Sequence, residues 1–237
     1  MSLAPYVEVR ERIQSVDDNE VQMFLKALYL LGAARPVEIA AERCSGEKRE
    51  IIYGPKGTDV WLEEIDPPNP SILQIYRLYL ERNEAAIKQL IENLLTQTIQ
   101  VAVFKIKNSR SKPKSNEEHP SRLVALPMPE KYEPWTKGLF EYFKNAGDNY
   151  VFPKNRQAIW HIVNKDEVFK GLKYPVRGYS SSRKTVDGQK TLTFNVSAHY
   201  RDLKMEGLRA VRVDELRERY GFDDLDLAVL VGSKISI

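Results

Sequence analysis

Residues 203–232, LKMEGLRAVRVDELRERYGFDDLDLAVLVG, constrain the fold most, because they put charge where a packed helix needs apolar surface. Over 204–220 the pattern predicts a helix, read at about 100° per residue. Met205, Leu216, Tyr220 and Val213 then fall on one stripe, and Arg209 falls inside it. Arg212 lies beside the stripe and Glu206 marks its far edge, whereas Asp214, Glu215, Arg217 and Glu218 lie mostly on the remaining faces. An arginine cannot shed its charge and is costly to bury unpaired. Arg209 therefore either pairs with an acid of the chain, such as Glu38 or Glu206, or receives an anion from outside.

The 237 residues suffice for one large or two small domains with a real core, and a hydrophobic fraction of 42% belongs to a globular chain. The net charge is only +3, so any nucleic-acid surface has to come from local clustering. Cys44 is the sole cysteine, and His119, His161 and His199 have no ligand spacing, so neither a disulfide framework nor a metal site is expected. No apolar run approaches membrane length, and a signal-peptide core is missing. The expectation is a soluble, cytoplasmic protein without a membrane partner or a small-molecule cofactor.

Residues 1–16 read as a short lead-in. A helix begins at Asp17 or Asp18, with Glu20 as capping-box partner and Val21, Phe24, Leu25 and Leu28 as its buried face. Pro36 suits the first position of a second helix over 36–44 and pushes Arg35 out of helical geometry into the N-cap position. Arginine caps poorly, but beside free N–H groups it is well placed to grip an anion; a plain surface arginine is the alternative. Residues 49–53 and 59–64 read as strands around the turn Gly54-Pro55-Lys56-Gly57. A long amphipathic helical segment follows at about 69–98, either packing on the domain or serving as a self-association arm. Strands are predicted at 99–107 and 122–126, joined by a polar loop too long for a tight hairpin. Lys105, Lys107, Arg110, Lys112 and Lys114 make this region basic. Helices are predicted over 130–144 and 157–170, neither with visible chemistry. Within 173–204, Asp187-Gly188 signals a hairpin turn with a return strand over 191–197. Arg177, Arg183 and Lys184, set among tyrosines and serines, suit a phosphate-contacting surface as well as a merely solvated hairpin.

Two of these segments carry a resemblance. GLRAVRVDELRERYGFDDLDLAVLVGSK resembles the second arginine box of tyrosine recombinases, the phage-integrase family, in its archaeal and mobile-element branch. YLLGAARPVEIAAERC resembles the first box, whose core is Gly-x-Arg-x-x-Glu, and YVFP at 150–153 resembles a short passage between helices of that family. The resemblance spans roughly residues 17–236 and is strongest at 28–44 and 203–232. It implies an α+β, mainly helical fold: a single catalytic domain over 17–237 with a small antiparallel sheet and the helical segment as an insertion. It puts Arg35 and Arg209 on the two catalytic arginines and Glu38 on the acidic position that braces an arginine. The leaving-group lysine becomes Lys107, with Lys112 or Lys114 as alternatives. Lys105, Arg110, Lys112, Lys114, Arg177, Arg183, Lys184 and Arg212 become DNA contacts.

The implied chemistry is site-specific recombination of double-stranded DNA, possible in a homo-oligomer, by phosphoryl transfer to a tyrosine without a metal. Two arginines hold the non-bridging oxygens and a lysine protonates the leaving 5′-oxygen. The chain departs from the family in three places. Glu206 stands where the family has His, and orienting Arg209 or Lys107 is the role left to it. Ser233 stands where the family has Trp or His. The family's tyrosine would fall after Ile237, so the expected domain is incomplete or inactive, a piece of a longer protein, or dependent on a tyrosine in trans. A DNA-binding module without turnover, and a structural protein whose arginines pair internally, are the competing expectations.

Overall fold

The computed structural model describes residues 6–32, 35–41, 53–65, 85, 99–109, 120–186, 189–223 and 227; at 65 and 175–199 it describes backbone alone. The fold is mixed α+β, as expected, and divides into two compact units. Unit 1 comprises Met1–Gly54, Lys107–Pro120 and Phe152–Ile237; unit 2 comprises Pro55–Ile106 and Ser121–Val151.

Unit 1 is built on α2 (Asn19–Leu30), whose expected face of Val21, Phe24, Leu25 and Leu28 is buried together with Ala27, Tyr29 and Leu30. Asp18 is the N-cap and accepts from the Val21 amide at 3.1 Å. With the cap at Asp18, Glu20 sits one position too early for a capping box. It accepts instead from the Lys154 amide at 3.1 Å and pairs with the Lys154 ammonium at 3.0 Å. Gly32, at φ 57°, closes the helix in the left-handed region that favours glycine. Phe24 meets Phe152 edge-on at 5.4 Å, which seats the YVFP passage on α2.

The first sixteen residues are more than a lead-in, because Tyr6–Gln14 forms α1 with Val9 and Ile13 fully buried. α1 packs on α2 and on α5 (Leu208–Tyr220). Of the helix expected over 36–44, the described residues 36–41 form only a 3-10 turn, Pro36–Glu38, and 42–44 lie outside the described residues. Its continuation is diverted because the Ala41 amide donates to the Phe152 carbonyl at 3.1 Å. Gly54 also lies so close that a Cβ there would come within 2.7 Å of the Ala40 main chain.

α4 (Arg156–Lys165) is capped by Asn155, which accepts from the Ala158 amide at 2.8 Å. It ends five residues before the expected 170, in a turn where Glu167 adopts φ 50°. The 173–204 region forms one long ribbon, β4 (Lys173–Val186) against β5 (Gln189–Asp202), with Lys173 opposite Asp202 and Val186 opposite Gln189. The return strand is longer than the 191–197 that residue propensity marked. The ribbon's base is closed by the Leu203 amide donating to the Leu172 carbonyl at 2.8 Å. There Gly207 leaves no room for a side chain, since a Cβ would lie 2.8 Å from Leu203 and 2.9 Å from Tyr174.

Unit 2 contains the three-stranded sheet in the order β1 (Val60–Ile65), β2 (Ile99–Lys107), β3 (Ser121–Pro127). β1 and β2 are antiparallel, from Val60 opposite Phe104 to Ile65 opposite Ile99. α3 (Thr136–Asn145) starts later than the expected 130, after a turn through Pro129 and Pro134. It buries Leu139 and Phe143, and Phe143 meets Phe104 edge-on at 5.0 Å. The strand expected at 49–53 and the helical segment at 69–98 lie outside the described residues, apart from Tyr53, which is not in a strand, and the helical Ala85. Among the described residues no helix is long and apolar enough to cross a membrane.

Candidate nucleic-acid interface

Arg35 takes the N-cap position expected of it, in extended geometry (φ −145°, ψ 145°) and without a side-chain cap bond. It is exposed and engages no partner among the described residues. Three residues on, Glu38 is fully buried and accepts from the Ser109 amide at 3.1 Å and the Ser109 hydroxyl at 2.8 Å. Hydrogen bonds to a charged group contribute about 1.5–3 kcal/mol each, and a buried carboxylate needs such donors. This link ties the Arg35 turn to the strand end, because Lys107, half-buried, is the last residue of β2. In these two bonds Glu38 holds Ser109, two residues past the end of β2.

Glu206 lies in a 3-10 turn, Met205–Gly207, that precedes α5, and it is exposed. Arg209 is the second residue of α5 and is half-buried. A cleft of about 180 Å³ is lined by Pro36 from the first arginine box, Met205 and Glu206 from the second, and Arg156, Gln157 and Trp160 from α4. The two segments singled out in the sequence therefore meet at one cavity of unit 1.

The stripe on α5 is displaced by roughly a quarter turn from the expected one. Leu208, Val211, Arg212, Glu215 and Leu216 are its buried residues, and Val213 and Tyr220 are only half-buried. The 3-10 turn accounts for part of this, because a helical wheel begun at 204 carries the wrong phase. Ion pairing accounts for the rest. Arg212 is 3% exposed and pairs with Glu215, which is fully buried. Assigning Arg212 to DNA contact is therefore wrong: its guanidinium is turned inward and engaged.

Glu215 is the hub of this network. Arg10 of α1 reaches it twice, Nε at 2.9 Å and Nη2 at 3.2 Å. The Tyr29 hydroxyl of α2 donates to it at 2.8 Å, and Arg219 approaches at 3.4 Å. Burial pushes the Glu215 carboxyl up, but Arg212 and Arg10 outweigh it and hold the group below the usual range. Burial, reinforced by the Glu215 charge, pushes the Tyr29 phenol far up. Tyr29 is thus a structural donor rather than a latent phenolate.

Of the other residues assigned to DNA, Lys105 is exposed on β2, while Arg110, Lys112 and Lys114 lie outside the described residues. Positions 177, 183 and 184 are on β4, opposite Ala198, Leu192 and Thr191.

Sequence reasoning found nothing of interest in α4, yet it contributes Arg156 and Trp160 to the cleft. Trp160 is 39% exposed. The signal was available: on a helical wheel Trp160 falls off the stripe of Ile159, Ile162 and Val163. Comparison of the chain with family models, curated proteins and solved structures finds no match.

Proposed function

We propose that the chain is a DNA-binding domain of the tyrosine-recombinase type, in which Arg35 and Arg209 contact the non-bridging oxygens of a backbone phosphate and Lys107 faces the bridging oxygen. The supporting observation is convergence within unit 1. Pro36, next to Arg35, and Glu206, one helical turn before Arg209, line one cleft, while Glu38 holds the end of β2 to the same turn. Exposed Arg35 has no internal partner among the described residues, which suits a cation that awaits an anion. Glu206 also has no hydrogen bond or ion pair among them, so its carboxylate is open to steer an arginine or lysine once phosphate arrives.

Strand cleavage in this reading needs a tyrosine nucleophile. Tyr29 is committed to Glu215, and no tyrosine lines the cleft among the described residues. Binding is therefore the part of the activity assigned to these residues, with cleavage conditional on a tyrosine brought from elsewhere.

The test is fluorescence anisotropy of a labelled generic duplex at several salt concentrations, for the native protein and Arg35→Ala/Arg209→Ala. Each phosphate no longer neutralised lowers the slope of log K against log salt by about 0.9, so the double variant, which strips both arginines from one phosphate, should lose about one unit. Absence of binding by the native protein at low salt, or an unchanged slope in the double variant, overturns the assignment.

A further inference from the structure

The small cleft does not end at Trp160. A second cleft of about 300 Å³ is lined by Trp160 as well, together with Val163, Phe169 and Leu203. Trp160 lines both cavities. A large aromatic that is 39% exposed and shared by two adjoining clefts offers a flat surface to whatever enters.

The two clefts carry different polar groups. The larger is rimmed by Glu167 and Asp202 against Lys170 and Lys204, and Glu167 pairs with Lys170 at 2.7 Å. It therefore carries no net charge. It also presents Asn164, whose Nδ2 donates to the Trp160 carbonyl at 2.7 Å. That bond leaves the amide oxygen and the second N–H, the acceptor and donor pair with which asparagine reads a base edge. The smaller cleft has Arg156 facing the same space as Glu206, with Arg35 adjoining through Pro36. The larger lobe thus suits a flat, neutral, hydrogen-bonding group, while the smaller sets an arginine, Arg156, beside it with Arg35 one residue from Pro36.

We propose that the paired clefts bind one unpaired nucleotide of a DNA strand, its base stacked on Trp160 beside Asn164 and its phosphate beside Arg156. The proposal rests on the DNA-binding reading above, which brings the strand to Arg35. A base inside an intact duplex is stacked on both faces and paired along its edge, so it reaches Trp160 only after leaving the helix. The left-handed Glu167 (φ 50°) fits a constructed rim, since a non-glycine residue is held there only by its surroundings.

The experiment compares two labelled duplexes identical except for one unpaired nucleotide, titrated with the native protein, Trp160→Ala and Trp160→Phe. The native protein should prefer the bulged duplex by about tenfold, the scale of one base–aromatic stack. Trp160→Ala should abolish this preference, and Trp160→Phe should keep most of it. Circular dichroism confirms that the variants fold. Equal affinity of the native protein for both duplexes overturns this inference and leaves the phosphate-binding reading standing. So does a Trp160→Ala variant that keeps the preference, or that weakens both duplexes alike. Binding to neither duplex removes both readings.

Discussion

Replacing Glu215 by glutamine should destabilise unit 1 more than any surface change in it. The carboxylate is fully buried and serves Arg212, Arg10, Tyr29 and, more loosely, Arg219. Glutamine keeps the volume and one acceptor oxygen but removes the charge, leaving Arg212 buried without its counter-ion. Breaking a buried pair in this way costs about 3–5 kcal/mol, and the retained oxygen points to the lower end. At about 2–4 °C per kcal/mol for a chain of this length, Tm should fall by roughly 6–12 °C. Two units need not unfold together, so the transition should be followed by Trp160 fluorescence with Trp61 and Trp135 replaced by Phe, because Trp160 is the tryptophan of unit 1. The pH dependence adds a second test. The folded Glu215 carboxyl lies below its ordinary value of 4.5, so its contribution is present above that value and is lost as pH falls through the folded one. The gap between native and variant should therefore narrow as pH drops from about 6 to about 3. A loss below about 1 kcal/mol, or a gap that ignores pH, would refute the hub.

Asp18→Ala should cost about 1 kcal/mol through loss of the α2 cap, with little added by the Lys154 pair, whose side chains are both about one-third exposed. Asp18→Asn keeps the cap and should recover most of it in denaturant titrations. Because the Lys154 hydrogen bond holds Asp18 below 3.8, the charge-dependent share is present above that pH and is lost as pH falls through the folded value. In unit 2, Gly57→Ala would place a Cβ 2.4 Å from the Phe143 carbonyl and 2.5 Å from the Gly147 amide, and should cost at least about 1–3 kcal/mol. Gly138→Ala on exposed α3 surface, with nothing within 4 Å, should instead stabilise by about 0.5–1 kcal/mol. Similar melting temperatures for these two variants would contradict the packing described for Gly57.

Local signals carried much of this far. The apolar spacing of α2, its cap at Asp18 and the extended run at 99–107 are each encoded in a short window, and each forms. The Asp187-Gly188 turn signal marked the ribbon, although not the full length of its strands. What was not legible depends on partners distant in sequence. α1 shows only Val9 and Ile13 as a face, and its place depends on Glu215, 205 residues from Arg10. The helix expected at 36–44 was diverted by Phe152 and Gly54, which no local propensity reports. Setting Arg212 beside the stripe and Glu215 on a remaining face missed that both are buried, because two opposite charges three residues apart can be buried as a pair where either alone cannot. Arg35 takes the cap position that the proline rule marked. Trp160 carries no titratable group, and only its place off the apolar stripe of its helix marks it.

One carboxylate shared among three guanidinium groups also limits the routes by which this sequence can drift. Arg219 is 35% exposed on its side chain and can be exchanged almost freely, and Arg10, at 12%, can follow with a modest loss. Arg212, at 4%, and Glu215, at 0%, stand differently, because either one alone leaves a stranded charge. They are expected to change only together, toward an apolar pair of similar volume. Descendants of this chain should therefore show variation at 219 first and at 10 next, with 212 and 215 either both kept or both replaced.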